Sequence, residues 1–214
     1  MHLLYNFSRY LKSLRIRKMN NEAIKSSIQS LQQIYTVILA LALGEAFKQF
    51  VIEGGDSSQR RLDWSKLLSL VALLALIIPF LHGMNRYFFD VYSAGNFPHY
   101  GRYLLVDCIA FTLEGGLFFI LARSLKHTEF NRFYTTVAIL LAFDIFWGGF
   151  IWHFHTPSVK PWVIVNLVFG PLITLALILF NKKIFLCPII CAALVVSRSV
   201  CDYIFSWPFY FPAS

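Results

Sequence analysis

No acidic residue occurs before Glu22, and charge of either sign is scarce throughout: 14% of the 214 residues are Asp, Glu, Lys or Arg, against roughly a quarter in a soluble domain. Cysteine is confined to Cys108, Cys187, Cys191 and Cys201, each in an apolar stretch. Cys187 and Cys191 share a helix face, but no second pair or histidine lies near them in sequence. They therefore read as small packing side chains rather than a zinc or redox site. No H-E-x-x-H, G-x-S-x-G, P-loop or dinucleotide fingerprint occurs, so enzyme chemistry has no motif to stand on and no cofactor is expected. Histidine is sparse as well. His153 and His155, two apart on a helix, point away from each other and do not clamp a metal, and His82 and His99 are far from both in sequence. The alternating ten-residue pattern of a membrane barrel is also missing.

What remains is apolar. Hydrophobic residues make up 57% of the chain and mean hydropathy is +0.61. Runs near the roughly 20-residue length of a bilayer crossing recur at 31–52, 65–88, 103–123, 133–154, 162–180 and 184–206. Short polar connections separate them, including EGGDSSQRRLD at 53–63 and a stretch broken by Gly95, Pro98 and Gly101. The fold expected is an all-α integral membrane protein of about six transmembrane helices, preceded by an N-terminal amphipathic interfacial helix. Its parts are a basic segment at 1–30, a single six-span domain at 31–207 and a short tail at 208–214. Trp64, Trp162 and Trp207 fall near span ends, where interfacial belts belong.

The net charge of +8 is unevenly spread. Arg9, Lys12, Arg15, Arg17, Lys18 and Lys25 all precede the first span. Leu3, Leu4, Phe7, Tyr10, Leu11 and Leu14 lie opposite the first three of them at helical spacing, a pattern that suits a lipid interface. Anionic headgroups are the expected partner and nucleic acid is not. The positive-inside rule then gives a cytoplasmic N-terminus and, with six spans, a cytoplasmic C-terminus, in a bacterial inner membrane.

Ionisable residues inside the spans carry the functional reading, since burying a charge at mid-bilayer costs on the order of 3 kcal/mol or more. Arg86 and Asp90 share an R-x-x-x-D spacing with Arg198 and Asp202, placing each pair on one helix face. With Asp107 they are expected at one level near the inner surface, as a clamp or gate tying span six to spans two and three. Pairing across helices is at least as plausible as pairing within them. Glu114, Asp144 and Glu45 are deeper and form, with Asp107, the expected ion pathway. Lys48 can approach Glu45, whereas the other deep acids have no cation at their depth in their own span. Gly44, Gly115, Gly116, Gly148 and Gly149 beside these acids suit close helix approach. Asn166, Gly170 and Pro171 mark a kink that interrupts span five, and Pro79 lies inside span two.

The leading expectation is a small ion-conducting protein, a cation or proton channel built as a homo-oligomer with carboxylates on a shared axis. A proton-coupled secondary transporter is the alternative. A membrane-embedded sensor or stress or defence effector working with a partner comes next, and an intramembrane enzyme last.

Overall fold

A computed structural model describes residues 2–52, 64–92, 100–125, 130–154 and 159–211, with side chains described throughout these stretches except at 2–21, 52, 100–102 and 152–154. The polar loop at 53–63, His99, His153 and His155 fall outside what is described for side chains. Seven helices occupy these stretches: α1 (His2–Ile52), α2 (Trp64–Tyr92), α3 (Tyr100–Arg123), α4 (Phe130–Phe154), α5 (Lys160–Phe180), α6 (Leu186–Phe205) and α7 (Trp207–Tyr210). Six of them are long and apolar enough to cross a membrane, with α1 contributing Glu22–Val51. No strand occurs among the described residues.

Two boundaries differ from expectation. The basic segment and the first span form one continuous helix, because nothing between Arg17 and Lys25 breaks it: Asn20 and Asn21 are tolerated where neither glycine nor proline intervenes. At the other end the expected tail folds. Ser206 ends α6, and Pro208 enters the first turn of α7, where a missing N–H leaves no bond unmade.

The helices close a ring in which α1 packs on α3, α3 on α4, α4 on α5, α5 on α6, α6 on α2, and α2 back on α1. Helix α2 also touches α3 and α4, which makes it the most buried span. Small residues set the closest approaches. A β-carbon on Gly115 would sit 2.6 Å from Ile38 Cγ2 of α1, and one on Gly148 would sit 2.7 Å from Val163 Cγ2 of α5. Gly44, Gly116 and Gly149 have open space where a β-carbon would go, so they make no such approach. Gly170 packs against Leu141 of α4, and α5 runs as one helix from Lys160 to Phe180 with Pro171 inside it.

Pro79 likewise leaves α2 continuous, but it deprives the Ala75 carbonyl of its helical donor. The Ser199 hydroxyl of α6 donates to that carbonyl at 2.7 Å, which welds α6 to α2 at the proline. Trp162, expected at an interface, is instead core. It meets Trp147 and Phe80 edge to face, because the neighbouring rings of α2 and α4 offer it more apolar contact than a span end would. Trp64 and Trp207 are exposed.

Candidate functional site

Three of the charges within the apolar helices, and one amide, gather inside the ring. Asp144 lies in the second half of α4, Asn166 in the first third of α5, and Arg198 and Asp202 in the second half of α6. With successive helices running in opposite directions, all four fall in one half of the bundle. The Asn166 amide donates to Asp144 Oδ2, and its oxygen accepts from Arg198 Nε at 2.7 Å. Arg198 Nη1 lies 3.1 Å from Asp202 Oδ2 as an ion pair without the alignment of a hydrogen bond. Asp202 also accepts from Ser206 at 3.2 Å and from Tyr210 at 3.0 Å. The guanidinium stacks over the Phe80 ring of α2, 5.0 Å from its centroid.

Glu114, midway along α3, accepts a hydrogen bond from the Tyr35 hydroxyl of α1. It is within electrostatic reach of both Arg198 and Asp144. The interior therefore holds three carboxyls around one guanidinium, all almost fully buried: Glu114 is 2% exposed, Asp144 1%, and Arg198 and Asp202 0%. Among the described residues, Asp144 Oδ1 and Arg198 Nη2 have no hydrogen-bond partner. Leaving such atoms unpaired costs about 1–3 kcal/mol each.

Among the described residues, the five charges expected at one level make no ion pair between helices. Arg198 and Asp202 pair within α6, and Arg86 and Asp90 pair within α2 at 2.7 Å, because an i,i+4 spacing already brings each pair together. The α2 pair is partly exposed, 18% and 22% by side chain, with Arg86 over the Phe89 ring. The two pairs differ in environment: one is rimmed by surroundings it partly faces, the other is sealed. Asp107 has neutral partners, the hydroxyls of Tyr87 at 3.1 and 3.2 Å and of Tyr92 at 2.6 Å, in a nest of rings that includes Phe111 and Trp147. Glu45 closes locally on Gln49 at 2.7 Å and Lys48 at 3.7 Å. Span six is tied less to span three than expected and more to spans four and five, through Asn166.

Glu114 and Asp144 both face the interior of a single chain. A pore on an axis between subunits would be lined by other residues. Tyr35, Ser199, Ser206 and Tyr210 are parts of the site that sequence reasoning missed. None of them carried a usable signal in the sequence: that Ser199 covers the carbonyl freed by Pro79 is evident only once α6 is seen against α2. Cys187 and Cys191 lie buried with their sulfurs 4.0 Å apart, and among the described residues no group of three His, Cys, Asp or Glu is arranged to hold a metal. Comparison of the chain with known protein families, characterised proteins and solved structures finds no match.

Proposed function

We propose that the protein moves protons across a membrane through the interior of each six-span bundle, as a proton-coupled secondary transporter whose proton step also runs, more slowly, without its second solute. The observation that carries this reading is the string Asp144–Asn166–Arg198–Asp202, sealed from the surface yet holding an unpartnered carboxyl oxygen at its Asp144 end and an unpartnered guanidinium nitrogen on Arg198 within it. Ionisable groups are expensive within a membrane and are retained there mostly where a charge or proton has to be handled. Three carboxyls around one guanidinium leave up to two negative charges to be offset by protons or by a migrating cation. Asn166 meets Asp144 with one end and Arg198 with the other, so a change of charge on Asp144 is felt directly by Arg198. Arg198 can then divide its attraction between Asp144 and Asp202, which supplies the two arrangements that coupling requires. A channel on an axis between subunits draws no support from these residues, since they are buried within one chain.

The test is proton movement into liposomes holding the purified protein, followed with a trapped pH-sensitive dye after an imposed pH jump. Wild-type protein should relax the gradient faster than empty liposomes. Asp144→Asn keeps the shape and the acceptor for Asn166 while removing the proton site, and should return relaxation to the empty-liposome rate with the fold intact. Identical relaxation with and without wild-type protein, at every gradient and voltage, overturns the reading.

A further inference from the structure

The far end of the buried string is covered by the last described piece of chain. Helix α6 stops at Phe205, the chain turns at Ser206, and Trp207–Tyr210 fold back as a single helical turn against α2 and α6. The turn is closed by the amides of Phe209 and Tyr210 donating to the Ser206 carbonyl at 2.9 and 3.0 Å. Trp207 and Phe211 face outward and lie ring against ring, while Phe209 and Tyr210 point in and are buried.

Both oxygens of Asp202 are engaged by this segment, Oδ1 by the Ser206 hydroxyl and Oδ2 by that of Tyr210. Tyr210 also reaches the Pro79 carbonyl, but at 3.5 Å, the outer limit of a hydrogen bond. Its ring rests 4.8 Å from that of His82 and 4.7 Å from that of Tyr203. Gly83 leaves room for it: a β-carbon there would come no closer than 3.4 Å to the Tyr210 oxygen, whereas a longer side chain would occupy its place. Burial, and after it the neighbouring Asp202 carboxyl, holds the Tyr210 hydroxyl well above the usual phenol range, so it stays a donor.

We propose that Ser206–Phe211 is a strap that closes one end of the buried polar string, latched by the Tyr210 hydroxyl on Asp202, and that releasing this latch opens the way to Arg198. Asp202 accepts from the strap with the same carboxyl that pairs with Arg198, so any shift of Arg198 toward Asp144 alters the hold on Tyr210. As a control on proton entry the strap rests on the transport reading above. As a moving part it does not, and it is tested separately.

A cysteine at position 206 reports strap opening, because Ser206 is buried beneath the turn. Full-length Ser206→Cys protein in lipid is treated with a water-soluble maleimide, and labelling is located by peptide mass spectrometry. Cys187 and Cys191, fully buried, report an intact fold by staying unlabelled. Adding Tyr210→Phe, which removes only the latch hydroxyl, should raise the labelling rate at position 206 by about tenfold, and Gly83→Leu should do the same from the α2 side. Rates within about twofold of the single variant in both cases, with the reference cysteines still protected, overturn the strap.

Should Cys187 or Cys191 become labelled, hydrogen exchange on the wild-type protein decides. Phe209 and Tyr210 amides that exchange faster than those within α6 support the strap, and equal protection overturns it. Labelling that rises in a protein that moves no protons keeps the strap and sinks the transport reading. Proton flux with an immobile position 206 does the reverse.

Discussion

Arg198 is the residue on which the interior charge balance turns. It is fully buried, it is the one guanidinium among three carboxyls, and it contacts α2, α5 and its own helix at once. Removing one member of a buried pair leaves the other uncompensated at a cost of about 3–5 kcal/mol. Arg198→Ala should therefore lower the thermal midpoint in detergent sharply and reduce yield. Adding Asp202→Asn, which removes the stranded charge while keeping one acceptor oxygen, for Ser206 or for Tyr210, should recover a substantial part of the loss. No recovery would mean that Arg198 acts through its packing on Phe80 rather than through charge. Neither the partner set of Arg198 nor the role of Asn166 is readable from sequence. Spacing discloses that Arg198 and Asp202 share a face, but says nothing of which face another helix turns toward them.

At the scale of helices, the α2–α6 contact is organised by a proline. Pro79 frees a carbonyl, and Ser199 supplies the donor. Ser199→Ala should cost about 1–3 kcal/mol, the penalty for an unpaired buried carbonyl. In a Pro79→Ala background the same substitution should cost much less, because the restored backbone N–H of position 79 can serve the Ala75 carbonyl. Equal costs in the two backgrounds, measured by thermal unfolding, would show that the hydroxyl is not compensating the proline. The existence of six apolar helices was legible at this scale, since run length and hydropathy alone identify a crossing segment. Their ends were less so: α7 was expected as tail, and the N-terminal segment was expected as an element apart from the first span.

For the molecule as a whole, the ring order decides which charges meet. Helix α1 lies between α2 and α3, and its approach to α3 is set by Ile38 seated over Gly115. The Ile38 β-carbon is 3.4 Å from where a Gly115 β-carbon would be, near the β-carbon spacing of a disulfide. The double substitution Ile38→Cys, Gly115→Cys should cross-link within one chain under mild oxidation. The bond would be seen as a disulfide-linked peptide carrying both positions and a mobility shift reversed by thiol. Absence of any cross-link would place α1 elsewhere and detach Tyr35 from Glu114. The apolar outer faces that this arrangement leaves exposed, such as Ile34, Val37 and Leu41 of α1 and Ile178 and Leu179 of α5, are those of a membrane-embedded protein.

By itself the sequence determined the class of this protein, because hydrophobic length and the rarity of charge are properties of composition along the chain and need no knowledge of neighbours. It also singled out Glu114, Asp144, Arg198 and Asp202 as unusual, because an ionisable group within an apolar run is conspicuous wherever the run ends up. Only the tertiary structure decided that these four share one interior while Asp107 goes to tyrosines, Glu45 to its own helix, and Arg86 and Asp90 to each other. Hydrogen bonds and ion pairs act over a few ångströms, and which residues come that close is set by how helices from distant parts of the chain turn toward one another.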